Sequence, residues 1–258
     1  MTNLKGGRAV TTQTPRLYDD LAWLWPLWGD PDGDYAEWCE HVVRLIRQYA
    51  SGPLDTLLDI GCGGGKNAFN LKRHFKVTGI DLSPAMLELA RTANPECTFI
   101  QADMRRMDLR RQFDCILMDD SIAYMATRKD LAAAFQCAHD HLRSGGVMVV
   151  SPDETKETFQ QNRTRVSHAE AKAKPESLDV VFVENDYDPD PSDDQFEFTL
   201  IYLIRKDGRL RLETDCHVLG LFPLEVWPTT LRSAGFEVHQ EAPVMPDTVQ
   251  PVFVCVKP

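Results

Sequence analysis

A glycine-rich stretch, LLDIGCGGGKN at 57–67, is the clearest candidate for chemistry in this sequence. It follows an apolar run that predicts a buried strand, and its glycines let the backbone turn tightly and approach a ligand closely. A phosphate-binding P-loop would need Ser or Thr where Asn67 stands, and the dinucleotide pattern would need glycine in place of Lys66. The pattern that fits is D-x-G-x-G-x-G, from Asp59 to Gly65.

Two further acidic residues follow predicted strands. Asp81 ends the second strand, 22 residues after Asp59, and Asp103 comes just after the third, FIQ. In a parallel sheet such strand ends meet at one edge, where ligands bind. The sequence therefore predicts a glycine loop with three carboxylates beside it.

This loop with its acids resembles the class I S-adenosylmethionine-dependent methyltransferases, over 54–151 and 223–257. The resemblance implies that Asp81 accepts the ribose hydroxyls and that Asp103 contacts the adenine amino group. The cofactor carries a sulfonium cation and no phosphate, so carboxylates suit it. The residues predicted to contact S-adenosylmethionine are Tyr18, Asp59, Gly61, Cys62, Gly63, Gly65, Asp81, Leu82, Met86, Asp103, Met104 and Asp119.

Two segments resemble the small-molecule N-methyltransferases, including aminosugar N,N-dimethyltransferases and the glycine and sarcosine methyltransferases. They are MDDSIAYM at 118–125 and CHVLGLF at 216–222, whereas the aromatic stretch LAWLWPLW at 21–28 has no matching counterpart. The predicted catalytic residues are His217, Tyr124 and Asp119. The predicted acceptor-binding residues are Trp23, Trp28, Asp120, Ser121, Tyr124 and His217.

Several of these residues allow two interpretations. His217 is either a general base, a role that suits histidine because an unperturbed imidazole changes charge near neutral pH, or part of a solvated sheet face. Asp119 and Asp120 either hold an amine or cap a turn. Tyr18 and the tryptophans either form an aromatic wall around the site or pack into the core.

Strand and helix patterns alternate through most of the chain, which predicts an α/β fold with a seven-stranded Rossmann-like methyltransferase sheet. The predicted strands are 56–60, 75–80, 97–101, 113–118, 147–150, 236–240 and 252–256, with helices at about 35–49, 66–73, 84–91, 131–142 and from Pro223. Ser83-Pro84 is a helix start signal, and Gly235 is expected to end the last helix.

The chain divides into a flexible tail at 1–14, an N-terminal helical cap at 15–53, a methyltransferase core at 54–151 and 223–258, and an antiparallel β-rich lid at 152–222. In the lid, Lys206-Asp207-Gly208 predicts a hairpin. Pairing Phe198 with Cys216 through a three-residue loop gathers the apolar residues on one face, so we expect that register. The acidic stretch 185–194 is expected to be a solvated, mobile loop.

Composition limits the partners. With 28 Lys and Arg against 39 Asp and Glu, the net charge is −11, which disfavours nucleic acid. The apolar runs are too short for a membrane span, and seven cysteines without regular spacing favour a reducing cytoplasm. Cys137, His139 and His141 diverge on one predicted helix, so we expect no metal. The protein is expected to be a monomer or homodimer.

Together these features predict methyl transfer from S-adenosylmethionine to a small molecule, with an amine favoured as acceptor. A neutral amine already has its lone pair, so the protein only has to position it and accept a proton. Two alternatives remain open: an O-methyltransferase that uses His217 as base, and a module that binds S-adenosylmethionine without turning it over.

Overall fold

The computed structural model describes residues 14–171, 178–243 and 249–258. The predicted tail at 1–14 therefore lies outside the described residues, apart from Thr14. No helix within the described ranges has an apolar stretch long enough to cross a bilayer.

A seven-stranded sheet forms the centre of the molecule and confirms the predicted α/β fold. Its order is β10-β11-β5-β4-β1-β2-β3, with β1 to β5 parallel and β11 antiparallel to both β5 and β10. Both β1 and β4 are buried along their whole length, as expected for strands covered on both faces. The bounds are β1 Thr56–Ile60, β2 Lys76–Asp81, β3 Thr98–Gln101, β4 Phe113–Met118, β5 Leu142–Val150, β10 Glu237–Glu241 and β11 Val252–Val256.

Five α-helices accompany this sheet in the described residues: α1 Asp34–Tyr49, α2 Lys66–Leu71, α3 Pro84–Ala93, α4 Arg128–His141 and α5 Val226–Ser233. The predicted cap of α3 is confirmed, because the Ser83 hydroxyl accepts a 3.0 Å hydrogen bond from the Met86 backbone. Helix α5 begins three residues after Pro223, and Gly235 follows it with a φ of +100°. Pro26 lies inside a 3₁₀ helix, Ala22–Leu27.

A second, antiparallel sheet follows β5 in the chain. It consists of β6 Arg163–Ala171, β7 Leu178–Tyr187, β8 Gln195–Lys206 and β9 Arg209–Gly220, in that order. One face packs against Leu17, Leu21 and Leu24 from the N-terminal segment and buries Phe182 and Tyr202. The N-terminal segment therefore lies against the inner face of this second sheet.

The predicted hairpin register is wrong by one residue. Phe198 pairs with His217 and Lys206 with Arg209, so the loop contains two residues, Asp207 and Gly208. Both have positive φ, +49° and +76°, which is the signature of the tight turn favoured in twisted hairpins. The expected three-residue register separates apolar from polar residues. In the structure, however, the buried face of this hairpin carries polar residues that belong to the site.

The predicted acidic loop at 185–194 is also partly wrong. Strand β7 continues to Tyr187, and Asp186 is only 1% exposed. Its carboxylate accepts hydrogen bonds from Arg163 at 2.8 Å and from Arg165 at 2.9 Å. Arg163 and Arg165 on β6 therefore compensate the charge of Asp186 on β7. The acidic pattern predicts a solvated loop, but at Asp186 the structure has a buried ion pair instead.

The left-handed glycine of the hairpin turn gives a stability test with a matched control. Gly52 and Gly208 both have open space where a Cβ would lie, but only Gly208 has a left-handed backbone. We expect Gly208→Ala to lower the free energy of unfolding by about 1 kcal/mol, and Gly52→Ala to leave it unchanged or raise it slightly. Urea denaturation of the two variants measures the difference. Equal stabilities would contradict the left-handed conformation of Gly208.

Candidate active site

The glycine loop and three carboxylates meet at one edge of the large sheet. Strands β1, β2 and β3 are parallel neighbours, so Asp59 near the end of β1, Asp81 at the end of β2 and Asp103 just after β3 come to the same side. This is the edge at which ligands bind in open parallel sheets. The sequence placed these groups together correctly.

The loop is held in its turn by backbone hydrogen bonds to the neighbouring strand. The N–H groups of Gly61 and Cys62 both donate to the Ile80 carbonyl, at 2.8 and 2.9 Å. Gly61 has a φ of +73°, and a Cβ there would lie 2.2 Å from the Ser121 side chain. Ser121 in turn donates to the Ile60 carbonyl at 2.8 Å. Only glycine fits at this first position of the loop.

Asp59 and Asp81 have different surroundings. Asp59 is 1% exposed, its Oδ2 has no hydrogen-bond partner among the described residues, and burial together with the charge of Asp81 raises its pKa to about 7. Asp81 accepts from Gly63 N at 2.9 Å and Ser83 N at 2.8 Å, while burial raises its pKa. Both carboxylates are therefore desolvated next to the glycine loop.

Asp103 is already paired within the structure. Arg105 binds it through two nitrogens, at 2.9 and 2.8 Å, and this pairing holds the pKa of Asp103 below its usual value. Met86 and Met104, which are predicted to contact the cofactor, are both buried, whereas Leu82 is 55% exposed. The exposed Leu82 side chain lies at the sheet edge, where it is available to contact a ligand.

Cys62 in the loop is a packing residue. It is 6% exposed, and a Cβ on Gly79 would lie 2.8 Å from its sulfur. Burial raises the pKa of its thiol well above the usual value, so it is a poor nucleophile.

Trp25 covers the glycine loop, a contact that the sequence did not predict. A Cβ on Gly64 would lie 2.4 Å from its indole, and one on Gly63 would lie 3.2 Å away. Lys66, 6% exposed, donates to the Trp25 carbonyl at 3.1 Å and to the Trp28 carbonyl, and burial lowers its pKa to about 8. Lys66 thereby ties the aromatic segment to the start of α2.

A chain of hydrogen bonds connects four side chains, those of Tyr18, Tyr124, His217 and Asp215. The Tyr124 hydroxyl lies 2.8 Å from the Tyr18 hydroxyl and 2.6 Å from His217 Nδ1, and His217 Nε2 lies 2.8 Å from Asp215 Oδ2. His217 is 1% exposed, so the solvated-face interpretation is wrong. Because a carboxylate only accepts, Nε2 carries hydrogen and Nδ1 is the acceptor of the neutral ring.

The N-terminal segment is fixed to β9 by the same carboxylate. The Leu17 N–H donates to Asp215 Oδ2 at 2.8 Å, and Arg16 donates to Glu213 at 2.7 Å. Although burial opposes it, the hydrogen bond from His217 leaves the pKa of Asp215 below its usual value. These bonds bring the Tyr18 ring to 5.6 Å from the His217 ring, centroid to centroid. Sequence analysis missed Asp215, although its i, i+2 spacing to His217 places both on one strand face.

Three aspartates face the same recess and interact with one another. Burial raises the pKa of Asp119 to about 6. The pKa of Asp120 is raised to about 7, first by the charge of Asp119 and second by burial. The pKa of Asp153 is also raised to about 7, first by burial and second by the charge of Asp120. Asn67 donates to Asp119 at 3.1 Å. The side chains of Asp120 and Asp153 are exposed to solvent, and that of Asp119 is half-buried; we name these three residues the acidic recess.

Trp23 and Trp28, which are both predicted to bind the methyl acceptor, lie in different surroundings. The Trp28 ring stacks on Phe182 at 5.8 Å and meets Trp25 at 6.2 Å, so it packs within the N-terminal cluster. Trp23 is 42% exposed, and no ring contact joins it to another site residue in the described part of the chain. The structure therefore brings together most of the predicted site but leaves Trp23 outside it.

Comparison with known proteins agrees with this geometry. Residues 57–146 match the Methyltransferase domain family. The chain is 32% identical over 222 residues to dTDP-3-amino-3,4,6-trideoxy-alpha-D-glucopyranose N,N-dimethyltransferase of Streptomyces venezuelae, covering 80% of this chain and 85% of that protein. This chain belongs to the class I S-adenosylmethionine-dependent methyltransferases.

Solved structures extend the match over nearly the whole chain. The crystal structure of Streptomyces venezuelae DesVI superposes with a TM-score of 0.79 at 26% identity, covering 93% of this chain and 96% of that one. The sugar N-methyltransferase KedS8 from Streptoalloteichus sp. ATCC 53650 gives a TM-score of 0.77 at 29% identity, covering 100% and 99%. The similarity therefore includes the second sheet as well as the nucleotide-binding sheet.

The residues of this methyltransferase fit its cofactor. S-adenosylmethionine is a sulfonium without phosphate, and the site offers a side-chain-free loop next to desolvated carboxylates rather than to cations. The buried, unpartnered Asp59 Oδ2 is a polar atom that a ligand could satisfy. We propose that Asp59, Asp81 and the loop from Gly61 to Gly65 hold the cofactor.

The raised pKa of Asp59 predicts a pH-dependent affinity. A bound cation favours the ionised carboxylate, so the raised pKa of about 7 falls on binding and affinity increases as pH rises from 6 to 8. We expect the Kd for S-adenosylmethionine, measured by calorimetry, to fall about tenfold over this range. Asp59→Asn should flatten the dependence.

S-adenosylhomocysteine is the matched ligand control for this prediction. It keeps the nucleoside and the amino acid but lacks the sulfonium charge, so its affinity should change less with pH. Parallel pH profiles for the two ligands would show that Asp59 does not respond to the cofactor's charge.

Proposed function

We propose that this methyltransferase methylates the nitrogen of a small cationic amine. The observation that carries the proposal is the acidic recess beside Tyr124 and His217, in which Asp120 and Asp153 form no side-chain hydrogen bond or ion pair with a described residue. Clustered carboxylates attract a protonated amine and repel an anionic acceptor. The amino-sugar relatives are consistent with this class of acceptor.

In this mechanism the chain's main tasks are orientation and proton handling. S-adenosylmethionine, when bound, supplies an electrophilic methyl group. The protonated amine first loses one proton, which gives the nitrogen a lone pair. The nitrogen–carbon bond then forms as the sulfur–carbon bond breaks, so that the sulfonium becomes a neutral thioether and the methylated nitrogen keeps the positive charge. The acidic recess orients the amine, and the aromatic cover of Trp25 and Tyr18 limits water at the loop.

The proton leaves through the hydrogen-bonded chain. Tyr124 lies between the recess and His217 Nδ1, which is the acceptor nitrogen of the neutral ring. Asp215 faces the opposite nitrogen and stabilises the imidazolium that forms when Nδ1 takes the proton. Tyr18 completes the chain at its other end. His217 therefore acts as the base, and Asp215 positions it.

An amine acceptor predicts a particular pH response of base variants. We expect His217→Ala to lower kcat/KM about a hundredfold at pH 7, and the loss to shrink as pH approaches the pKa of the amine, because more acceptor is then neutral without help. Methyl transfer to candidate amines, followed by mass spectrometry across pH, measures this. His239→Ala, a histidine on β10 next to Tyr49, is the control and should keep full activity.

The alternative, an O-methyltransferase, gives a different result in the same assay. A hydroxyl stays protonated throughout the accessible pH range, so a loss in His217→Ala that remains constant with pH would favour an alcohol acceptor. An unchanged rate at every pH would remove His217 from the mechanism.

Asp215 has its own prediction. Asp215→Asn keeps the size of the side chain but no longer stabilises the imidazolium, so kcat should fall about tenfold or more while the Kd for S-adenosylmethionine stays within about twofold. A loss of cofactor affinity with unchanged kcat would instead indicate that Asp215 only anchors the N-terminal segment through Leu17.

A further inference from the structure

The second sheet brings three side chains of metal-binding type together on the face that points away from the site. They are His168 and Glu170 on β6 and Asp179 on β7. One donor atom of each, an imidazole nitrogen or a carboxylate oxygen, lies within 4.8 Å of the donor atoms of the other two. We name these three residues the β6–β7 cluster. In the part of the chain that the structure describes, it is the one group of this kind.

The strand register produces this arrangement. Residues i and i+2 of a strand share a face, so His168 and Glu170 point the same way. Glu170 pairs directly with Asp179, and His168 pairs with Val181, two residues further along β7. Phe182, which is buried against the N-terminal segment, belongs to the alternate set of β7 and faces the other way. The cluster therefore lies on the solvent side, where His168 and Glu170 are exposed and Asp179 is half-buried.

The pairing of Glu170 with Asp179 is electrostatically unfavourable. Like charges directly opposite each other on neighbouring strands destabilise a sheet, and these two carboxylates occupy such a position. Arg205 on β8 pairs with Asp179 from its other side and offsets part of this charge. A cation bound between Glu170 and Asp179 relieves the repulsion across the β6–β7 pair, and the imidazole of His168 adds a third donor beside it.

The donor set favours zinc over the other common divalent cations. Imidazole suits Zn²⁺, whereas Mg²⁺ and Ca²⁺ prefer a shell made of oxygen atoms. In a tetrahedral zinc site, bonds of about 2.0–2.2 Å place neighbouring donor atoms about 3.5 Å apart. The atoms of the cluster are within 4.8 Å of one another, so rotation of exposed side chains such as His168 and Glu170 can close the remaining gap.

We propose that the β6–β7 cluster binds one Zn²⁺ ion, held by His168, Glu170 and Asp179 with water as the fourth ligand. The bound ion links β6 to β7 and stabilises the second sheet. The sequence predicts no metal at the cysteine and histidines of α4, and the cluster is separate from them, because it forms only when β6 and β7 pair. The proposal does not depend on the methyl acceptor or on the cofactor.

Calorimetric titration of the metal-free full chain with zinc chloride tests the site. We expect one saturable equivalent of Zn²⁺ per chain for the wild type. His168→Ala should raise the Kd at least about a hundredfold, and Glu170→Gln and Asp179→Asn at least about tenfold each, because an amide is a weaker ligand than a carboxylate. Mg²⁺ and Ca²⁺ should not saturate the site at concentrations at which Zn²⁺ does.

His239→Ala is the matched control. His239 and Glu237 have the same i, i+2 spacing on β10, and His239 Nε2 lies 3.3 Å from Glu237 Oε1. Among the described residues no third donor completes this pair, so the variant should bind zinc as the wild type does. Zinc should raise the Tm of the wild type and of His239→Ala but not that of His168→Ala. Methyl transfer by His168→Ala should be unchanged, because its side chain faces away from the site.

Two results would overturn the proposal. One is a wild type that shows no saturable zinc binding. The other is zinc binding that is as tight in His168→Ala and Asp179→Asn as in the wild type. Circular dichroism of each variant without metal confirms that a loss of binding does not come from unfolding.

Discussion

Uncompensated negative charge in a desolvated space is the constraint around which this site is organised. Asp59 and Asp120 have pKa values near 7 because burial and neighbouring carboxylates disfavour their ionisation. Two cations near the glycine loop and Asp103 are paired within the chain: Lys66 donates to backbone carbonyls and Arg105 pairs with Asp103. A ligand that brings positive charge relieves this repulsion, and the cofactor of this family is such a ligand.

The two sheets contribute different residues to the site. The parallel sheet places the glycine loop and the acids of the cofactor side at its edge. The antiparallel sheet contributes His217 and Asp215, and the N-terminal segment between the sheets contributes Tyr18 and Trp25. Buried strands and a capped helix hold most of these side chains, so the geometry of the site does not depend on a single loop.

The sequence predicted several strands of the large sheet well because they are predominantly apolar runs that stand next to glycine, proline or aspartate. Strands β1, β4 and β11 have the predicted bounds. It failed at the β8–β9 hairpin, where a rule based on apolar faces assigned His217 to the outside. The rule assumes that buried faces are apolar, and the buried Asp215–His217 pair on β9 violates that assumption. Contacts such as Trp25 over Gly64 join segments about 40 residues apart, and local pattern carries no information about them.

The bond from Leu17 to Asp215 connects residues 198 positions apart. During synthesis the beginning of the chain emerges first, but its partner on β9 is made only after most of the large sheet. Closing so long a loop costs entropy that the contact must repay, so this segment docks late. The aromatic side chains around Trp25 then stay in solvent until β9 has formed, so a segment that is synthesised before both sheets is among the last parts of the chain to reach its native position.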